Sequence, residues 1–95
     1  MTLPQLSIWI VVAKHLNVTM AADDLNIRQP SVSQQIKCLE NNSGIKLYKD
    51  NKGKGIELTE AGKILLKYVK KALLQVKILE NKLKSSRKRV RRRRL

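Results

Sequence analysis

Residues 19–44 read TMAADDLNIRQPSVSQQIKCLENNSG. Met20, Ala21 and Ala22 are good helix formers, and alanines let two helices approach closely. Asn26-Ile27 then makes a turn, and Gln29-Pro30-Ser31 opens a further helix running to about Asn42. Val32, Ile36 and Leu39 recur at helical spacing and mark its buried side. The remaining positions carry amides and hydroxyls. Gly44 suits the left-handed conformation that ends a helix. Two short helices joined by a tight turn, the second polar along its outer side, form a helix-turn-helix shaped to enter a DNA major groove.

Upstream, Thr2-x-x-Gln5 has capping-box spacing, and Pro4 is tolerated in a first helical turn. Leu6, Trp9, Ile10, Ala13 and Leu16 follow as a core face, predicting a helix over about residues 3–16. Asn17 or Thr19 can cap the next helix, which runs to about Leu25. Of Asp23 and Asp24, at least one should face solvent.

Downstream the period changes. Residues 46–49 and 55–58 are two short runs flanking Asp50-Asn51-Lys52-Gly53-Lys54, which predicts a β-hairpin wing. Thr59 caps a long helix starting at Glu60. Its Leu65, Val69, Ala72, Val76, Leu79 and Leu83 form a heptad seam, widened by Ile64, Tyr68 and Leu73. The part near Leu65 and Val69 is expected to pack on the chain's own helices. Beyond about Ala72 the helix outruns a body this small, so burial there calls for a second copy.

The expected fold is therefore mainly α: a winged helix-turn-helix over residues 1–59, followed by a dimerisation helix over 60–84. Residues 85–95, SSRKRVRRRRL, are predicted to form a basic tail without structure of its own.

Ninety-five residues suffice for one modest core. The chain has 21 Lys and Arg against 7 Asp and Glu, a net charge of +14 that favours polyanionic partners. Nine of those cations and none of the acids lie in residues 82–95, so the body is only moderately basic. One cysteine, Cys38, makes no internal disulfide and fits a reducing compartment. The longest apolar run, Ile8 to Ala13, is far short of the roughly 20 residues that span a bilayer. A soluble, cytoplasmic protein without a membrane partner is expected.

Gln29 and Gln34 each carry a donor and an acceptor on one planar amide, the pairing that reads adenine. Ser31 and Ser33 are short enough to bring the backbone near DNA and contact phosphate or base edges. For Ser31 the alternative is a first-turn residue bonding local N–H groups, and Pro30 mainly fixes that turn. Arg28, Lys37, Lys49, Lys52 and Lys54 are candidate phosphate contacts, which position a protein without reading sequence. Cys38 reads as a partly buried filler, Trp9 as core, and His15 as a cap on carbonyls or a residue facing water. One His and one Cys assemble neither a zinc site nor a Cys–His nucleophile. No enzyme activity, metal or cofactor is expected.

AADDLNIRQPSVSQQIKCLE, then GIKLY, then LTEAG, resemble the N-terminal domain of LysR-type transcriptional regulators, in order and spacing, over about residues 3–80. The resemblance implies a bacterial transcription regulator whose third helix enters the major groove, with Gln29, Pro30, Ser31, Ser33, Gln34 and Lys37 on its reading face. It also implies a wing beside the minor groove and a long helix pairing antiparallel with that of a second subunit. Such a homodimer would bind a near-palindromic operator. Members of the family continue into an effector-binding domain, which would allow a tetramer and marks this chain as a DNA-binding fragment or truncated product. Three features depart from the pattern. Arg28 replaces the Ser before Gln-Pro, Asp50 stands where the wing usually has Arg, and the terminal Arg-rich run has no counterpart.

Two rival readings remain open at this stage. One is non-specific nucleic-acid binding driven by the tail. The other is a membrane-surface or protein-interaction module built on residues 60–95, against which count lysines spread over several sides of that helix.

Overall fold

Thr2 begins the first helix by accepting the Gln5 N–H on its hydroxyl at 3.3 Å. In the computed structural model, which describes residues 1–93 with side chains through Arg87, helix α1 spans Leu3–His15. It is followed by α2 (Val18–Leu25), α3 (Gln29–Ser43), β1 (Tyr48–Asp50), β2 (Ile56–Leu58) and α4 (Glu60–Arg93). The strands pair antiparallel, with Tyr48 opposite Leu58 and Asp50 opposite Ile56.

The buried face of α1 is Gln5, Trp9, Val12 and Ala13. Leu6 and Ile10 are only partly covered, and Leu16 is 44% exposed, against the expectation that it completes the core face. The reason is that Leu16 ends the helix in the left-handed region at φ 51°, which turns its side chain off the helical face. Its backbone is used instead: the N–H donates to the Val12 carbonyl, and the carbonyl accepts the Ile56 N–H, both at 2.8 Å. The wing is thereby tied to the end of α1.

Asn17, rather than Thr19, caps α2, its side-chain oxygen accepting the Met20 N–H at 2.9 Å. Buried Ala21 and Ala22 let α2 lie close to its neighbours. Asn26 turns left-handed at φ 60°, and the Ile27 N–H closes the turn on the Ala22 carbonyl at 3.1 Å. His15 neither caps a carbonyl nor simply faces water. Its Nε2 meets Asp24 Oδ2 at 2.9 Å, with Lys14 Nζ at 4.0 Å, and so fastens α1 to α2.

Trp9, Val12, Ala21, Val32, Ile36 and Leu39 have no exposed surface and form the centre of the core. Cys38 is exposed on α3 instead of filling that core, since the 3.6-residue turn places it beside Gln34 and not beside Leu39. Gly44 ends α3 at φ 71°, as its sequence position predicts.

Thr59 caps α4 by accepting the Gly62 N–H at 3.1 Å. Gly62 is buried because α4 crosses the Leu47 carbonyl and the Trp9 ring at that point, leaving no room for a Cβ. Leu65 and Leu66 pack on the core, and Val69 is 3% exposed. Leu65 and Val69 therefore pack on the chain's own body, Val69 almost completely and Leu65 in part. Val76 is half-covered and Ala72 exposed, while Leu79 and Leu83 stay open to solvent. The open apolar series begins one position earlier, at Ile64 and Tyr68. The helix also continues past Lys84 to Arg93, where the sequence predicts an unstructured tail. Ser85-Ser86 does not break it, and Lys and Arg have high helix propensity. Arg94 and Leu95 lie outside the described residues.

Substituting Gly62→Ala forces a methyl against a backbone carbonyl and an indole, so urea denaturation should show a loss of roughly 2 kcal/mol or more. Asp24 is held below the ordinary carboxylate range, first by its hydrogen bond with His15 and then by the nearby Lys14 charge. A lowered folded-state pKa contributes stability above the unfolded value, lost as pH falls through the folded one. Melting temperature should consequently fall less steeply below about pH 4 in Asp24→Asn than in the parent chain.

Candidate nucleic-acid interface

Helix α3 has two unlike sides. Val32, Ile36 and Leu39 are wholly buried against α1 and α2, which forces the opposite side outward. Arg28, Gln29, Pro30, Ser31, Gln34 and Lys37 are all exposed there, and Ser33 is half-buried at the edge. Gln35, Asn41 and Asn42 share the exposure and extend the polar surface along the helix. Sequence reasoning passed over these three, although their non-apolar spacing between Val32, Ile36 and Leu39 already placed them outside.

Arg28 occupies the N-cap of α3 without a side-chain cap bond. The first-turn N–H groups there are not claimed by a capping hydroxyl, and a helix N-terminus attracts anions. Gln29 Nε2 donates to Ser33 Oγ at 2.8 Å across one helical turn. That bond uses one of the two N–H groups of the amide and one lone pair of the hydroxyl.

The wing stands beside this surface. Asn51 donates its N–H to the Gly55 carbonyl, and Lys54 donates to Asn51, each at 3.0 Å, closing a tight loop. Lys52, Gly53 and Gly55 all take positive φ within it, and a Cβ on Gly55 would strike the Leu16 carbonyl. Lys49, Lys52 and Lys54 are exposed on the hairpin, so the structure sets all three predicted cations on one protrusion. A polar cleft lies between wing and helices. Gln29, Ser33, Tyr48 and Asp50 line it together with Asn17 and Thr19 from the start of α2. Thr19 and Asn17 were not singled out for this position in sequence, because only the tertiary crossing of α2 over α3 brings them to it.

Two links hold the wing in place. Tyr48 stacks on Trp9 with ring centroids 6.4 Å apart. Burial, then the charges of Glu40 and Asp50, push its hydroxyl above the usual phenol range, so it stays a neutral donor. At the wing root, Glu40 Oε2 accepts the Leu47 N–H at 2.8 Å, and Lys46 Nζ lies 3.9 Å from the other carboxylate oxygen. Thr59 completes the root by donating to the Lys46 carbonyl at 2.7 Å. Among the described residues no group of three His, Cys, Asp or Glu side chains is placed to hold a metal ion, and no helix is long and apolar enough to cross a membrane.

Residues 3–63 match the family model of bacterial regulatory helix-turn-helix proteins of the lysR family. The chain belongs to that family. It is 40% identical over 85 residues to the HTH-type transcriptional regulator CfxR of Cupriavidus necator, covering 90% of this chain and 26% of that protein. It is 45% identical over 76 residues to AlsR of Bacillus subtilis, covering 80% and 25%. The chain thus spans about a quarter of the length of the curated relatives it matches. Its fold matches the crystal structure of a CbnR DBD–DNA complex with a TM-score of 0.86 at 30% identity, covering 90% of this chain and 98% of that one. A BenM DBD complex with catB site 1 DNA matches at 0.84 and 32% identity, covering 90% and 94%.

Glu40→Ala leaves the Leu47 N–H, on a residue only 3% exposed, without its charged acceptor. A loss of about 1.5–3 kcal/mol should appear in chemical denaturation, with amide exchange fastest in β1 and β2.

Proposed function

We propose that this chain is the DNA-binding part of a transcription regulator, acting in the cytoplasm as a homodimer and not as an enzyme. The observation that carries the proposal is the outward amide and hydroxyl surface of α3 standing beside a hairpin with three exposed lysines. Gln34 and Gln29 read base edges in the major groove, with Ser31 and Ser33 close to the same groove wall. Arg28, Lys37 and the wing lysines hold phosphates and set the register. Pro30 fixes the first turn of the reading helix. In the dimer, two reading helices fall in successive major grooves, roughly 34 Å apart, on a near-palindromic site. Relatives carrying the description of transcriptional regulators and similar folds solved on DNA support the reading. On this view residues 1–59 bind DNA, residues 60–84 carry association, and the basic end adds non-specific attraction.

Selection from a random duplex pool at moderate salt tests it, and enrichment of a two-fold-symmetric sequence is expected. Gln34→Ala should then weaken the selected site by roughly 1–3 kcal/mol while leaving random DNA unaffected. Lys52→Ala should weaken both alike and lower the salt slope by about 0.9 per contact. A pool that stays random, with binding lost on removal of residues 85–95, would instead identify a non-specific nucleic-acid-binding protein.

A further inference from the structure

Of the residues from Glu60 to Arg87, eight are Lys or Arg and two are Glu. Four of these cations recur at seven-residue spacing: Lys63, Lys70, Lys77 and Lys84. All four are exposed on α4. An α-helix drifts about 20° per heptad, so they lie in a strip roughly 60° wide and about 32 Å long. The strip runs on the side opposite Ile64, Tyr68 and Leu79, the open apolar residues of the helix. It lies about a quarter-turn from Gly62 and Val69, which pack on the body. Association of two chains through the apolar side therefore leaves the strip open.

The strip lacks what balances charge on an ordinary surface helix. Lysines there are supported by acids three or four residues away, whereas Lys70 has Leu66, Lys67, Leu73 and Leu74 at those positions. Glu60 and Glu80 stand one turn from the other three, but the ion-paired cations among the described residues are Lys14, His15 and Lys46. Lys67 and Lys71 lean instead over the Tyr68 ring, 5.8 and 5.4 Å from its centroid. Ammonium groups in line at intervals of about 10.5 Å fit a partner whose negative charge is itself linear and regular. Duplex DNA is such a partner, and the strip is close in length to one helical turn, about 34 Å. A lipid surface fits less well, because it would take the apolar side and turn these lysines away from it.

We propose that Lys63, Lys70, Lys77 and Lys84 form a second phosphate-binding surface, which takes the duplex flanking the segment held by α3 and the wing. The proposal rests on the DNA binding proposed above and adds a contact outside the selected site. Exposed Glu57 and Glu60 lie between Lys54 and Lys63 along the chain, so the strip is distinct from the wing lysines and not their continuation.

Two duplexes titrated over a range of salt provide the test: the site selected from the random pool, and the same site with about 21 base pairs, two helical turns, added on each side. Lys77→Gln with Lys84→Gln removes two charges from the strip. Lys82→Gln with Arg87→Gln removes the same charge at the same height, from other sides of the helix. Gln is comparable to Lys as a helix former and all four sites are exposed, so helical circular dichroism should match the parent in both variants. The parent should show a steeper salt dependence on the long duplex than on the short one. The strip variant should lose about 1.8 of that slope, about 0.9 for each contact, and bind the short duplex as the parent does. The other variant should match the parent on both. Equal slopes for the parent on the two duplexes, or equal losses in the two variants, overturn the second surface while leaving DNA binding by α3 standing. Parent binding to phosphatidylserine vesicles that only the strip variant loses, with no change on DNA, assigns the lysines to a lipid surface and overturns it as well. A parent that binds neither duplex overturns both readings.

Discussion

The constraint on which the molecule depends is the complete burial of the Trp9 indole. Its ring lies under the Gly62 crossing of α4 and stacks on Tyr48 of the wing. One side chain of α1 therefore fixes where the hairpin stands and where the long helix leaves the body. Burying an indole strongly favours the folded state, and the stacking leaves little freedom in the angle between helices and wing. The Ile56–Leu16 backbone bond and the Thr59 links to Lys46, Leu47 and Gly62 then fix the hairpin root at separate points. Placement of the surface beside α3 is thus a consequence of packing behind it.

What the sequence states clearly is what local chemistry dictates. The apolar spacing of Val32, Ile36 and Leu39 decides which side of α3 is inside, and the structure leaves none of the three exposed. Gly44, Asn26 and Thr59 sit at turns and caps whose geometry their residue types require. What the sequence does not state depends on partners distant in the chain. Leu16 reads as the last core residue of a helix but serves as its left-handed end, because the chain must reverse to bring Asn17 to the cap of α2. His15 finds Asp24 nine residues away only when α1 and α2 cross. Cys38 reads as filler from its neighbour Leu39, but adjacent residues in a helix point about 100° apart.

Helix α4 shows the same limit more sharply. A heptad pattern fixes that a helix has an apolar seam, but a helix with two apolar faces offers two seams one residue apart. Leu65 and Val69 fall to the body because Gly62 lets α4 sit close on Trp9, and this turns Ile64 and Tyr68 outward. The choice is made by a glycine with no hydrophobic character, which hydropathy patterning cannot weigh. The end of the helix escaped for another reason. Repulsion among like charges argues for disorder, whereas Lys and Arg also rank among good helix formers, and α4 continues through them.

On the proposed function, the charge distribution separates holding from reading. The side of α3 that faces outward carries mostly neutral amides and hydroxyls, with Lys37 one turn along from Ser33 and Gln34 and Arg28 at the start of the helix. Asp50 sharpens the separation. It lines the same cleft as Gln29 and Ser33, and a carboxylate there can only accept hydrogen bonds and repels phosphate. On the proposed function, the backbone of a bound duplex is drawn toward Lys49, Lys52 and Lys54 and away from the cleft. The concentrated cations lie instead at the far end of a 34-residue helix, along a molecule 63 Å in its longest dimension.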